Sequence, residues 1–142
     1  MLFRSFATVG MLAWAALVSR TGQKILNLVL ALLLGAAGLV MSVVFPALIP
    51  AIIALSLALI GTISARTIFY TIPQSFLTGA AAAGGLAFIN SVGAAGGFVG
   101  PTLVGWLKDA TGSYSAGMLG LAAVLGISVL LAASLKLVIK DQ

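Results

Sequence analysis

The stretch "TIFYTIPQSFLTGAAAAGGLAFINSVGAAGGFVGPTLVGWL", residues 67–107, contains no charged side chain. A second uncharged stretch, residues 25–65, precedes it, and only Arg66 separates the two. Each stretch is about twice as long as the roughly 20 residues that a helix needs to cross the hydrocarbon of a bilayer. We therefore expect each stretch to hold about two crossings, and the sequence predicts an all-α membrane protein.

The overall composition also indicates that the chain lies in a membrane. Apolar residues make up 62% of the chain and charged residues 6%, and the mean hydropathy is +1.28. Soluble domains carry roughly 25% charged residues, so this chain cannot cover itself with a hydrated surface. The lipid bilayer is its expected environment.

The same composition excludes several functions. The chain has no cysteine and no histidine, and its only acidic residues are Asp109 and Asp141. These absences remove the usual nucleophiles, general bases and metal ligands, so we expect no enzyme, no metal site and no cofactor. The net charge of +5 comes from basic residues scattered at the ends of apolar runs. That pattern is typical of membrane topology signals and not of a nucleic-acid-binding surface.

Prolines, glycines and charges divide the apolar runs. Pro46 and Pro50 bracket one turn, Pro73 and Gly79 mark a second, and "KDATGS" (108–113) is a polar turn. The sequence thus predicts a single membrane domain, residues 1–142, with five spans at about 4–19, 25–45, 50–76, 80–106 and 114–136.

The first predicted span is short. Only residues 5–19 are uncharged there, between Arg4 and Arg20. A signal peptide is one alternative, since Arg4 resembles a charged leader and "AWA" (13–15) a cleavage site. We favour a spanning helix that has a trimmed start or extends Arg4 to the membrane surface.

The distribution of lysine and arginine predicts the orientation of the chain. If the loop "SRTGQK" (19–24) is cytoplasmic, most of the basic residues fall on the cytoplasmic side. Arg4 and Lys108 then lie outside. The C-terminus is therefore predicted to be cytoplasmic.

The glycine-rich run "NSVGAAGGFVGP" (90–101) is expected to form a close helix contact. Gly93 and Gly97 form one small-xxx-small pair, and Gly96 and Gly100 form a second. Helices in lipid associate through close packing, so small residues are enriched where they meet. These four glycines are predicted helix-packing residues.

Asn90 and Arg66 are two polar side chains that the predicted spans would carry into the membrane. Asn90 shares a helical face with small residues, including Ala94 and Gly97. Its amide either forms a hydrogen bond to a neighbouring helix or lines a cavity that binds a solute. An arginine inside a span, such as Arg66, suggests a functional site, and its planar fork suits a carboxylate or phosphate.

The alternative for Arg66 is an ordinary cytoplasmic anchor. In that case the span ends near Ala65, and Tyr70 and Gln74 are interfacial residues. If the span continues, Tyr70 lies on the face of Arg66 at i+4 and Gln74 lies further along. Both would then supply hydrogen-bond donors beside the guanidinium.

Residues 69–117 carry the motifs of a known family. An aromatic pair and a proline precede "FLTG", and then come "INS-G-GGFVGP" and "GWLKDATGS". This run resembles the major facilitator superfamily, and more narrowly its anion:cation symporter branch. The loop "LVSRTGQK" (17–24) is similar to the cytoplasmic loop between helices eight and nine of that fold. The resemblance implies that this chain corresponds to helices eight to twelve of a twelve-helix fold, which is part of the C-terminal half of that fold.

The resemblance also implies an activity. Carriers of this branch take up small organic anions, such as carboxylates and sugar acids, together with a cation, a proton or sodium, across the bacterial inner membrane. It implies Arg66 as counter-charge to the substrate, with Tyr70, Gln74 and Asn90 as orienting donors. Arg20, Gly22 and Lys24 correspond to the gating loop.

Two departures from the family pattern bear on these expectations. Ser19 stands where the family loop has aspartate, and Ala15 and Ala16 stand where it has glycine, so gating by this loop is not assured. The predicted spans contain no Asp or Glu. The coupling carboxylate is therefore expected in the missing N-terminal helices, or another copy of the chain completes the carrier.

Two other classes of function stay open at the level of sequence. The chain is alternatively a non-transporting multi-pass membrane protein or interaction subunit, because paired small residues serve helix association equally well. A small pore made by self-assembly is the third possibility.

Overall fold

The computed structural model describes residues 22–139, with side chains to residue 135, and also Trp14, Ala16 and Val18. Four long helices and one short turn make up this part of the chain. They are α1 (Lys24–Val44), α2 (Leu48–Thr71), a 3₁₀ turn (Pro73–Ser75), α3 (Gly79–Thr111) and α4 (Tyr114–Ile139). Each of the four helices is long and apolar enough to cross a membrane.

The predicted span 4–19 lies outside the described residues except for Trp14, Ala16 and Val18, which are helical. Gly22 adopts φ = 66°, and its N–H donates to the carbonyl oxygen of Val18 at 3.0 Å. Left-handed glycine at this position is a common helix stop. Gly22 therefore separates this helical segment from α1.

Two helix ends differ from the boundaries expected from hydropathy. Helix α2 ends at Thr71, and the 3₁₀ turn begins at Pro73, which cannot donate the hydrogen bond that would continue the α-helix. Helix α3 continues beyond residue 106 to Thr111, so most of the predicted polar turn at 108–113 is helical. It stops at Gly112, whose φ is 71° and whose N–H caps the carbonyl of Lys108 at 2.7 Å. Hydropathy marks the membrane-crossing part of a helix, whereas the cap marks its end.

Helix α1 lies between α2 and α4, and α3 packs on the other side of α4. The buried cluster lies where α1, α2 and α4 meet, and Trp14 and Val18 pack against it. Its members are Leu28, Ala31, Ala65, Ile68 and Ala132. By contrast, no residue of α3 is buried.

The closest approach of two helices is between α1 and α2. A Cβ atom added to Gly38 would lie 2.6 Å from the carbonyl oxygen of Ala54, and one added to Gly61 would lie 2.6 Å from that of Ala31. Real side chains do not tolerate such distances, so both positions require glycine. The backbones therefore pack directly, as expected for helices that associate in lipid.

Hydroxyl groups in the helices are mostly satisfied by the helix that carries them. They donate to the backbone carbonyl three or four residues earlier, as Thr62 does to Ala58 at 2.9 Å and Ser128 to Val124 at 3.0 Å. Ser64 is the exception among the described side chains of the helical core, since its hydroxyl is buried without a hydrogen-bond partner. These hydroxyls therefore offer little to a solute.

Candidate functional site

A cavity of about 450 Å³ lies between α2 and α3. Arg66 and Tyr70 contribute from α2, and Asn90, Gly93 and Ala94 contribute from α3. Arg66 and Tyr70 are one helical turn apart, and so are Asn90 and Ala94, so each helix presents one face to the cavity. Three polar side chains and two very small ones thus share a single space.

Tyr70 and Asn90 are joined across the cavity by a short hydrogen bond. The phenolic hydroxyl of Tyr70 donates to the side-chain carbonyl oxygen of Asn90. Helix α3 otherwise packs mainly on α4 and on the 3₁₀ turn. The bond therefore fixes the register of α3 against α2 at the level of the cavity, as the interhelical interpretation of Asn90 predicted.

Arg66 lies within the helix and not beyond its end. Helix α2 continues to Thr71, so the helix itself runs past Ala65, where the anchor interpretation ends the membrane span. The guanidinium carbon lies 5.8 Å from the centroid of the Tyr70 ring, within range of a cation–π interaction. No carboxylate in the described part of the chain forms an ion pair with Arg66, and Asp109, the acidic residue that the structure describes, does not line the cavity.

The polar groups of the cavity are one cation and several hydrogen-bonding side chains. Arg66 supplies a fixed fork of N–H donors and a positive charge. Asn90 uses its oxygen to accept from Tyr70, which leaves its amide N–H groups as donors. A small carboxylate would meet donors and a cation here, and no negative charge.

The small residues make room for such a guest. A Cβ atom added to Gly93 would have no neighbour within 4 Å, so the space beside it is empty and accessible. The sequence assigned Gly93 to helix packing, but the structure places it in the cavity wall together with Ala94. Ala94 was recognised only as a member of the Asn90 face.

The other predicted packing glycines contact no neighbouring helix in the described residues. A Cβ atom added to Gly96, Gly97 or Gly100 would meet nothing within 4 Å. Gly38 and Gly61, which pack directly against a neighbouring backbone, were not singled out from the sequence. Their signal was present, since small residues recur along α2 at 54, 58, 61 and 65.

The remaining predicted residues lie away from the cavity. Gln74 is exposed in the 3₁₀ turn and does not line the cavity, because the change of helix type after Thr71 breaks the periodicity that placed it near Arg66. In the predicted gating loop, Arg20 lies outside the described residues. Gly22 forms the helix stop described above, and Lys24 begins α1.

Arg66 also borders a second, largely apolar cavity of about 410 Å³ between α1, α2 and α4. Leucine side chains from α1 and α4 and the ring of Phe69 line most of it. The guanidinium therefore lies at a boundary between polar and apolar space. Burial of its charge is limited, since Arg66 remains exposed.

Comparison with known proteins identifies the class of protein that carries this site. The chain is 42% identical over 126 residues to a protein of Agrobacterium vitis provisionally named a tartrate transporter, and the match covers 89% of this chain and 28% of that relative. It is 35% identical over 126 residues to the quinolone resistance transporter of Acinetobacter baumannii, covering 89% of this chain and 29% of the relative. An inner membrane transport protein of Escherichia coli is 42% identical over 86 residues, 61% of this chain and 20% of the relative.

The chain is thus similar to membrane transporters along most of its length, and its described part holds four helices that are long and apolar enough to cross a membrane. The relatives are named as transporters, which agrees with the resemblance of this chain to a family of membrane carriers. The chain spans under a third of the length of the curated relatives it matches. No protein-family model matches the chain, and no solved structure matches it.

Proposed function

We propose that the chain forms the substrate-binding part of a carrier that moves small organic anions, carboxylates and sugar acids, by cation-coupled symport. The observation that carries this proposal is the convergence of Arg66, Tyr70 and Asn90 on one cavity. Arg66 is the counter-charge to the carboxylate. Tyr70 and Asn90 orient it, and Gly93 with Ala94 leaves room for it.

The energetic argument rests on the unpaired guanidinium. An arginine within a membrane-spanning helix is costly unless it meets a partner, water or the interface. No described residue supplies a negative charge beside Arg66. A substrate carboxylate would supply it and would form charge-assisted, bidentate hydrogen bonds with the guanidinium fork.

The coupling cation requires groups from elsewhere. The described spanning helices contain only one acidic residue, Asp109, near the end of α3. A proton-binding or sodium-binding carboxylate at the level of the cavity would therefore come from further helices of the carrier. Those helices are the proposed partner of this chain, and alternating access would come from their rocking against it.

The relatives support the substrate class and the location. One is named for tartrate, a dicarboxylate, and another for the inner membrane. We place this chain in a bacterial inner membrane with its C-terminus in the cytoplasm, as the distribution of lysine and arginine predicts.

A chimeric carrier tests the proposal. The segment of the Agrobacterium vitis relative that matches this chain is replaced by this chain, and uptake of labelled tartrate is measured in vesicles. We expect uptake that other small carboxylates inhibit and that a neutral polyol of similar size does not. Arg66→Ala should abolish uptake while the amount of chimera in the membrane stays constant.

Two results would contradict the proposal. Unchanged uptake kinetics in the Arg66→Ala chimera would remove Arg66 from the site. A chimera that inserts fully but transports no carboxylate, while the intact relative does, would favour the non-transporting alternative.

A further inference from the structure

A further cavity, of about 500 Å³, lies between α3 and α4 near the turn that joins them. It has a polar end and an apolar body. Lys108, Asp109 and Tyr114 form the polar end, and Pro101, Val104 and Leu121 are among the residues of the body. We call this feature the α3–α4 groove, and it contains none of the residues of the candidate anion site.

The polarity of the groove changes along the helix axis. Pro101 and Lys108 are separated by about 10 Å along α3, at 1.5 Å per residue. Lys108 and Asp109 mark the end of the uncharged stretch that starts at residue 67. The polar end of the groove therefore lies at the membrane surface, and the apolar body runs inward along the hydrocarbon.

The two charges of the groove do not satisfy each other. The ammonium nitrogen of Lys108 lies 4.6 Å from the centroid of the Tyr114 ring, a cation–π contact. Neither Lys108 nor Asp109 forms an ion pair within the part of the chain that the structure describes. One positive and one negative group thus stand side by side at the surface, above an apolar channel.

The stability of α3 explains why a lysine lies near the C-terminal end of the helix, but it does not explain the aspartate beside it. A cation in the last turn of a helix interacts favourably with the helix dipole, and an anion there interacts unfavourably. Lys108 and Asp109 both lie near the C-terminal end of α3, which stops at Thr111. Asp109 therefore opposes the local electrostatics, and a cation beside it would offset this unfavourable interaction.

We propose that the α3–α4 groove binds a phospholipid whose headgroup carries both a phosphate and a primary ammonium, namely phosphatidylethanolamine. The phosphate lies against Lys108 and the Tyr114 hydroxyl, and the ammonium donates hydrogen bonds to the Asp109 carboxylate. The first part of one acyl chain lies along Pro101, Val104 and Leu121. The headgroup thus supplies the cation that Asp109 lacks and the anion that Lys108 lacks.

The same chemistry discriminates between lipids. Phosphatidylcholine has the same charges, but its quaternary ammonium has no N–H to donate to a carboxylate. Phosphatidylglycerol has the phosphate but no cation, and it brings a net negative charge close to Asp109. The groove should therefore prefer ethanolamine over both, and Asp109 should determine the preference over choline.

Lipid binding to the whole chain tests this proposal. The 142-residue chain is reconstituted in vesicles of equal parts phosphatidylethanolamine, phosphatidylcholine and phosphatidylglycerol, extracted in nonionic detergent, and its bound lipids are counted by native mass spectrometry. We expect a two- to five-fold enrichment of ethanolamine lipid, about the size that an exposed ion pair can produce. Asp109→Asn should abolish the preference over choline, and Lys108→Gln should reduce phospholipid retention.

Matched controls exist for both charges. Asp141 is the only other acidic residue of the chain, so Asp141→Asn removes the same charge elsewhere and should leave the preference unchanged. Lys24→Gln is the corresponding control for Lys108. Circular dichroism checks that each variant keeps its helices, which is expected because Asp109 is exposed.

Three outcomes would overturn the proposal. Equal retention of the three lipids by the unchanged chain would show that the groove does not select a headgroup. Persistence of the ethanolamine preference in Asp109→Asn would exclude the carboxylate as its cause. Enrichment of phosphatidylglycerol, lost in Lys108→Gln, would identify a simple anionic-lipid contact.

Discussion

The hydroxyl of Tyr70 on α2 donates a hydrogen bond to the amide oxygen of Asn90 on α3. The two residues stand twenty positions apart in sequence and line the same cavity. Interhelical hydrogen bonds in membranes contribute modestly to stability, typically about 0.6 kcal/mol. The bond therefore matters less for folding than for the orientation of Asn90, whose N–H groups it leaves available to a guest.

Tyr70→Phe removes this hydroxyl and keeps the ring beside Arg66. We expect the KM for carboxylate uptake by the chimeric carrier to rise about two- to ten-fold, the effect of one hydrogen bond. Asn90→Ala should have an effect of similar or greater size. The double variant should be no worse than Asn90→Ala alone, because both residues act through one bond. Fully additive effects would show that Tyr70 and Asn90 act independently.

Arg66→Lys separates the charge of the guanidinium from its geometry. Lysine keeps the positive charge but cannot form the planar, bidentate pair with a carboxylate. We expect at least about a tenfold rise in KM for tartrate, corresponding to the loss of a charge-assisted hydrogen bond, with partial uptake retained. The Arg66→Ala variant should retain no tartrate uptake. Equal uptake by the lysine variant and the unchanged chimera would show that only net charge matters at this position.

The glycine contacts of α1 and α2 predict a stability effect that α3 does not share. Gly61→Val should destabilise the chain by about 1–3 kcal/mol, because its side chain would force the α1 and α2 backbones apart. Gly96→Val is the matched control, and it should change the free energy of unfolding by less than about 1 kcal/mol because nothing lies within 4 Å. Unfolding in mixed micelles with increasing dodecyl sulfate, followed by circular dichroism, measures both. Equal destabilisation by the two variants would contradict the packing described here.

These glycines also show what sequence reasoning could and could not supply. The helix-forming apolar runs, the i, i+4 relation of Arg66 to Tyr70 and the amide of Asn90 are local features, so the sequence alone could supply them. Patterns of small residues occur in both α2 and α3. Such a pattern does not show which of the two helices packs its small residues against a neighbouring helix. Only the tertiary arrangement showed that Gly61 packs against a neighbouring helix, whereas Gly96 meets no neighbour among the described residues.

Gln74 lies away from the cavity for a different reason. Its placement beside Arg66 assumed one uninterrupted helical period, but Pro73 begins a 3₁₀ turn. A proline can start a new segment or kink an existing helix, and Pro101 within α3 shows that the helix can also continue through it. The sequence alone does not distinguish these outcomes.

Gly93→Leu tests the cavity volume separately from its charge. The leucine side chain would enter the space between α2 and α3 without a backbone clash, so we expect loss of tartrate uptake with helix content and unfolding midpoint unchanged or slightly raised. Gly97→Leu lies outside the cavity lining and is the control, with uptake retained. Uptake that survives in the Gly93 variant would show that substrate does not occupy this space.

The most direct test of the central claim is protection of a single thiol in the cavity. The chain contains no cysteine, so Gly93→Cys introduces a unique one among the residues of this segment, in a chimera whose remaining part is made free of cysteine. The rate of its modification by a charged thiol reagent is measured with and without tartrate. Our account predicts that tartrate slows modification at position 93, that it does not do so at Gly97→Cys, and that Arg66→Ala removes the protection. Equal modification rates at position 93 with and without saturating tartrate, in a chimera that transports it, would contradict the assignment of this cavity as the anion site.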